Sequence, residues 1–437
     1  MLNQPISATA KQHALSLIEY IDASPSPWHV VTSTIALLEA DGYQQLLEKD
    51  GWHLKAHGRY YVLRDGASII AFVIGNKQLA ETGFHIVAAH TDSPGLRLKP
   101  KAAFASHGIA QLGVEVYGGP ILATFTDRDL SLAGRVMVRD GNKTTAHNVN
   151  LAKSMVRLPN LAIHMNRDVN EKGLVLNKQT GLPLIFGMAA DNEQAQLQLL
   201  QALADNVKVK PNEIITWDLA IYDSQKGCLW GMQDEFIANS QLDNLASCHA
   251  AISALIDNQK SDTTNICALF DHEEVGSESA TGASGSFMQD TLSRIFAAMH
   301  INEEDRLRAL ANSFLISCDM AHAFHPNHAA SYEPCHHVLV NAGPVIKSNA
   351  NQRYSTNGAT AAQFIRLCDS ASVPYQHYAH RSDLGCGSTI GPILAAQLGV
   401  PSVDVGNSMW AMHSIRESAG VLDHSYMTTV LKQFYGQ

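Results

Sequence analysis

The sequence predicts an α/β protein: a mixed β-sheet flanked by helices, with a second, β-rich unit inserted into it. Three observations carry this. Residues 84–89, 266–270, 314–318 and 401–406 are short, nearly unbroken apolar runs, the pattern of sheet strands buried on both faces. Segments with apolar groups at helical spacing lie between them, at 7–21, 245–256, 286–299 and 360–370. From about residue 101 to 233 the composition turns strand- and turn-rich, with Gly118-Gly119-Pro120 and Asp140-Gly141 as turn signals. A chain of 437 residues is too long for one typical core. The expected division is a discontinuous unit, 1–100 with 234–437, and an insert, 101–233.

Composition excludes several classes. Hydrophobic residues make up 46% and charged residues 16%, which is globular rather than disordered. A net charge of −10 argues against a nucleic-acid footprint. The seven cysteines are scattered, with no C-x-x-C pair, as expected of reduced thiols in a cytoplasmic protein. The first residues lack a signal-peptide pattern, and the longest apolar region, 390–405, is broken by Gly391, Pro392, Gly399 and Pro401, so no membrane span is expected. Histidine is abundant at 21 residues, which favours metal or proton chemistry.

In chain order, the first helical segment stops at Ser24-Pro25-Ser26-Pro27, and a second runs over 29–38. Strands are expected at 60–63, 68–74 and 84–89. The last of these ends in His90-Thr91-Asp92-Ser93-Pro94-Gly95. H-x-D at a strand end suits a histidine ligand oriented by a carboxylate; it equally suits a turn capped by Asp92. Inside the insert, 192–204 is helical. Leu242-Asp243-Asn244 precedes the helix at 245–256, where Asp243 is a ligand or an N-cap. The run 266–270 ends in Asp271-His272-Glu273-Glu274, and 314–318 ends in Asp319-Met320-Ala321-His322. Either is a site wall or a solvated polar loop. Lys347 follows an apolar run, and His413 follows the last strand.

Four strand ends or strand–helix junctions therefore present His90, Asp243, Glu274 and Asp319, and a fifth leads to His413. Two imidazoles with three carboxylates suit zinc, manganese or cobalt. Five ligands exceed what one catalytic zinc needs; with one carboxylate shared, they serve two metals. Glu273, beside a ligand, is placed to move a proton.

These blocks resemble the aspartyl aminopeptidase family, the M18 family of dinuclear zinc peptidases. The resemblance runs nearly end to end. It includes Ser24-Pro25-Ser26-Pro27, Ala89-His90-Thr91-Asp92-Ser93-Pro94, Gly113-Val114-Glu115 and Asp127-Arg128-Asp129-Leu130. It continues through Leu242-Asp243-Asn244, Asp271-His272-Glu273-Glu274-Val275-Gly276-Ser277, Asp319-Met320-Ala321-His322-Ala323, Asn349-Ala350-Asn351-Gln352-Arg353-Tyr354, Cys386-Gly387-Ser388-Thr389 and Met412-His413-Ser414-Ile415-Arg416-Glu417. It implies two divalent ions, zinc first, with manganese or cobalt as alternatives. One would sit on His90, Asp243 and Asp319, the other on Asp243, Glu274 and His413. Asp92 would orient His90 and Glu273 would be the general base. The family prefers peptides with an N-terminal Asp or Glu. Lys347 is the matched cation for that side chain, unless it is a solvated lysine after an edge strand. His322 and Arg381 are weaker candidates for substrate contacts. His164 resembles a histidine that the inserted dimerisation domain sends into a neighbouring subunit, and family members assemble from dimers into twelve-subunit particles. The sequence departs from the family at Gln241, where Arg is common, and at Ala123-Thr124-Phe125-Thr126.

Two other readings compete: an aminopeptidase of broader specificity on the same scaffold, and a non-enzymatic assembly or binding protein. The complete ligand set and Glu273 speak against the second.

Overall fold

Four parallel strands form the middle of a nine-stranded sheet: Thr264–Phe270, Phe84–His90, Phe314–Cys318 and Ser402–Gly406, in that spatial order. They are the four apolar runs of the sequence, and every residue in them except His85 is buried. The computed structural model describes residues 5–258 and 261–437. On one side Ser68–Val73 pairs antiparallel, followed by Arg59–Arg64 and Gln44–Leu46. On the other Val345–Ser348 pairs antiparallel with Ser402–Gly406, and Gln376–Ala379 closes the edge. The sheet is mixed, as expected.

Side chains alternate across a strand, so each central strand feeds two cores. Val87, Ala89, Cys267, Leu269 and Ile316 face one apolar layer. Ile86, Ala88, Ile266, Ala268 and Leu315 face the other. Helices Ala8–Asp22, Leu242–Asp257 and Val421–Tyr435 cover the first layer; Phe287–Ala298 and Ile390–Leu398 cover the second. Ala8–Asp22 shows how sequence sets this. Ser7 accepts the Ala10 amide as N-cap, and Ala10, Ala14, Leu17, Ile18 and Ile21 make one buried stripe. Leu242–Asp257 has no exposed stripe over most of its length, because it lies between the sheet and other helices. Each fully buried aliphatic side chain in these layers contributes about 1.5–3 kcal/mol.

The β-rich stretch forms a six-stranded antiparallel sheet in the order Lys143–Asn150, Leu130–Asp140, Ile214–Asp223, Gly95–Ser106, Ile109–Tyr117, Leu184–Met188. It has its own core, with Leu96, Leu112, Leu132, Val136, Leu199 and Leu219. Its pairing begins at Gly95, opposite Tyr117, earlier than the expected residue 101, and its last strand ends at Asp223. Cys228–Trp230 pairs elsewhere, with Phe236–Asn239. Those two strands belong to a third sheet, continued by Glu417–Gly420, Ser408–Trp410 and Ala321–His322. This sheet holds two pieces of the site side by side: the segment after Phe314–Cys318, and the hairpin loop that carries His413.

Candidate metal centre

Parallel strands bring their carboxyl ends to one edge of a sheet, where open α/β proteins place ligands. Here that edge gathers His90, the last residue of its strand, with Glu273 and Glu274 just past Phe270 and Asp319 just past Cys318. Asp243 arrives from the first turn of Leu242–Asp257. Its φ/ψ of −84°/104° is non-helical, so its side chain leaves the helix axis rather than capping it, which sets aside the N-cap reading. His413 comes from the loop between Ser408–Trp410 and Glu417–Gly420, with φ +68°.

The donors form overlapping groups, each within metal-ligand reach: His90, Asp243, Asp319; Asp243, Glu274, His413; and His90, Glu273, Glu274. His90 Nε2 lies 3.5 Å from Asp243 Oδ1, 3.6 Å from Asp319 Oδ1 and 4.0 Å from Glu273 Oε2. His413 Nε2 lies 3.5 Å from both Asp243 Oδ2 and Glu274 Oε1. Asp243 thus offers one oxygen to each of two groups.

Electrostatics argues for cations here. Four carboxylates crowd a half-buried pocket. Burial, with the negative charges of Asp319, Asp92 and Asp243, pushes Glu273 up to about 8; burial and the Asp243 charge raise Glu274 well above the carboxylate range. Burial opposes charge on both histidines, yet the carboxylates outweigh it, raising His90 well above its usual range and His413 to about 10. Asp243 Oδ1 is buried with no hydrogen-bond partner, and a buried carboxylate oxygen needs a proton, a donor or a metal. The residues present fit divalent ions.

The backbone around the donors is fixed by two buried acids. Asp92 Oδ1 accepts the Glu273 amide and Oδ2 the Glu274 amide, both at 3.1 Å, and the Tyr117 hydroxyl donates to Oδ2 at 2.7 Å. The expected orienting contact to His90 comes mainly from the Asp92 main-chain carbonyl, 3.0 Å from Nδ1, while the carboxylate is 3.5 Å away. Glu417 does the same on the far side. Its Oε2 accepts the Asp243 amide at 3.0 Å and its Oε1 the His413 amide at 2.7 Å. The sequence reading gave Glu417 no role. Its one signal was its place four residues after His413.

A cavity of about 550 Å³ opens over the donors, lined also by Met320, His322, Lys347, Tyr354, Ser388 and Thr389. Lys347 is neither solvated nor on an edge. It is 2% exposed, on a strand with neighbours on both sides. Its ammonium donates to the carbonyls of Asp319 (2.8 Å) and Met320 (3.2 Å), lies 3.4 Å from Asp319 Oδ2, and sits over the Tyr354 ring at 5.1 Å. His322 lines the same cavity; burial, with the charges of Lys347 and His380, lowers it to about 4. Arg381 does not line it: its guanidinium is spent on Asp383 and the Ala330 carbonyl. His164 does not line it either. It sits exposed on the short turn Ile163–Met165.

Comparison with known proteins agrees over the whole length. A family model described as "Aminopeptidase I zinc metalloprotease (M18)" matches residues 20–435. A "Probable M18 family aminopeptidase 2" of Pseudomonas aeruginosa is 47% identical over 422 residues, covering 96% of this chain and 97% of that protein. A protein of the same description from Pseudomonas fluorescens is 44% identical at the same coverage. Among solved structures, one titled "Cryo-EM structure of the Ape4 and Nbr1 complex" superposes with a TM-score of 0.94 at 38% identity, covering 98% of this chain and 86% of that one. The "S. cerevesiae mApe1 dodecamer" superposes with a TM-score of 0.83 at 26% identity, covering 97% and 96%.

Proposed function

Since the chain belongs to the aminopeptidase I zinc metalloprotease (M18) family and is a metallo-aminopeptidase, we propose that it removes Asp or Glu from the N-terminus of peptides. The observation that carries the acidic preference is Lys347. Among the described residues it is the one Lys or Arg lining the cavity beside the metal donors. A desolvated ammonium recognises a carboxylate far better than water-exposed lysine can.

In this reading two divalent ions, zinc first with manganese or cobalt as alternatives, are held by His90, Asp243 and Asp319 and by Asp243, Glu274 and His413. When bound, such ions acidify a water and polarise the scissile carbonyl. Glu273 takes the proton from that water and passes it to the leaving amine. Its burial suits the task, because a base pushed up to about 8 both accepts and returns a proton near neutral pH. Asp92 contributes by holding the amides of Glu273 and Glu274 in place. His322 contacts the substrate as a neutral imidazole. Arg381 has its hydrogen bonds committed elsewhere and is a peripheral contact at most.

Steady-state kinetics on Asp-, Glu-, Leu- and Ala-derived substrates tests this. A preference for Asp and Glu that Lys347→Met abolishes is expected; equal rates on Leu in the wild type overturn the acidic preference. One observation favours the broader-specificity reading. The Lys347 ammonium already meets two carbonyls and the Asp319 carboxylate, which draws on the charge a substrate would need. The same panel separates the two.

Self-association belongs to the proposal as well: dimers through the inserted unit, built into a dodecamer. Leu161, Ile163 and Met165, at 64%, 48% and 74% exposed, surround His164 with apolar surface of the kind subunit contacts cover. His164 would then reach a neighbouring subunit's site. A cytoplasmic location fits the free cysteines and goes with the proposal. Among the described residues no helix is long and apolar enough to cross a membrane.

A further inference from the structure

The cavity has a wall facing the metal donors, built from two loops far apart in sequence. One supplies Tyr354 and the other Gly387, Ser388 and Thr389. Both are irregular, and neither belongs to a sheet. Direct contacts between them are few: Ser388 Oγ donates to the Arg353 carbonyl at 3.2 Å, and Cys386 Sγ to the Tyr354 hydroxyl at 3.5 Å. What joins them beneath the surface is Asp404, a fully buried residue in the middle of Ser402–Gly406.

Asp404 Oδ2 accepts the Ser355 amide at 2.6 Å and the Ser355 hydroxyl at 2.7 Å; Oδ1 accepts the Thr389 hydroxyl at 2.6 Å. Its own amide donates to Thr356 Oγ1 at 2.9 Å. Space around the carboxylate is reserved as well. A Cβ on Gly391 would lie 2.4 Å from Asp404 Oδ2, so a glycine there is what lets helix Ile390–Leu398 start against it. A buried carboxylate is expensive unless every acceptor site is used. Among the described residues no Lys or Arg pairs with Asp404, so its hydrogen bonds to the two loops are its compensation. The metal donors are held separately, by Asp92 and Glu417.

We infer that Asp404 is a positioning residue for substrate specificity: it ties the Tyr354 and Thr389 loops into the wall that receives the substrate's N-terminal side chain. Tyr354 lies under the Lys347 ammonium, so the same tie sets the Lys347 environment. The inference rests on the aminopeptidase reading and adds a determinant of substrate binding that lies outside the metal machinery.

The test compares Asp404→Asn, Ser355→Ala and Thr389→Val with wild type. Readouts are kcat and KM on the four substrates above, metal content of the purified proteins, and thermal melting. Asp404→Asn keeps the shape but exchanges one acceptor for a donor facing donors. It is expected to raise KM on the best wild-type substrate by about tenfold or more, the loss of one to two charge-assisted hydrogen bonds. Metal content should not change, and kcat should stay within about threefold. The two single-arm variants should each raise KM less. If Asp404→Asn does not fold, the single-arm variants decide the question. Unchanged KM in folded variants, or a fall in kcat that tracks metal loss, overturns the inference while leaving an active wild type as an aminopeptidase. A metal-loaded wild type inactive on all four substrates overturns the aminopeptidase reading, and the inference with it.

Discussion

Glu273 and Glu274 are adjacent in sequence and divided by task, and substitution separates them. Glu273→Gln removes the acid–base group without removing a proposed ligand. Activity is expected to fall by about 10²–10⁴-fold with metal content unchanged in elemental analysis; full activity, or loss of metal, would contradict the role given to Glu273. Glu417→Gln acts on the second layer. The two backbone amides that Glu417 accepts are those of Asp243 and His413, so one of them loses its partner. A cost of about 1–3 kcal/mol in stability is expected, with metal lost first from the Asp243, Glu274, His413 group in a chelator titration. His90, Glu274 and Asp319 were legible in the sequence because each ends an apolar run with a charge that folding alone does not explain. Glu417 was not, because its partners are backbone N–H groups, which leave no mark in a sequence. Lys347 was legible only through resemblance: nothing in Val345-Ile346-Lys347-Ser348 tells a buried ammonium from a solvated one.

Among the elements, the strand pair Phe314–Cys318 and Ser402–Gly406 carries Asp319 on its very end. Gly406 is the point of closest approach: a Cβ there would lie 1.8 Å from the Asp319 carbonyl oxygen, and the Asp319 amide donates to Val405 next to it at 2.9 Å. Gly406→Ala must push the Asp319 backbone away. Reduced metal binding and a lower melting temperature are expected, the latter by about 1–3 kcal/mol of overpacking; unaltered metal stoichiometry would mean the strand end tolerates the shift. Central strands and main helices were readable from periodicity, since burial on both faces leaves no other pattern. The start of the six-stranded sheet at Gly95 was not. The chain passes from one sheet to the other through Thr91-Asp92-Ser93-Pro94 with hardly any linker, so no compositional break precedes it.

For the molecule as a whole, buried imidazoles set the acid limit. Burial lowers His29, His85 and His249 to about 4 and His424 well below its usual range. His249 Nδ1 and His424 Nε2 are hydrogen-bonded at 2.9 Å between the helices Leu242–Asp257 and Val421–Tyr435. A histidine whose folded pKa is depressed binds protons more readily when unfolded. Its contribution is therefore complete above about 6.5, the unfolded value, and is lost as pH falls towards 4. Each such group steepens the fall by up to about 1.4 kcal/mol per pH unit. Melting temperature should drop across pH 6.5 to 4, and the slope should be shallower in His249→Gln. A flat profile over that window would show these histidines accept protons without cost.

The inserted unit does more than extend the molecule. Tyr117 bonds Asp92, the Gly119 carbonyl lies 3.1 Å from His413 Nδ1, the Ile121 amide donates to the His413 carbonyl at 2.8 Å, and Thr124 Oγ1 accepts the Ile415 amide at 3.0 Å. One short stretch thus braces both ends of the metal cluster from outside the sheet that bears it. By thermodynamic linkage, anything that grips this unit, a second copy included, is coupled to metal affinity in both directions. If association tightens the hold on the ions by some factor, loading the ions tightens association by that same factor. A chelator would then act as a dissociating agent, and dilution as a demetallating one.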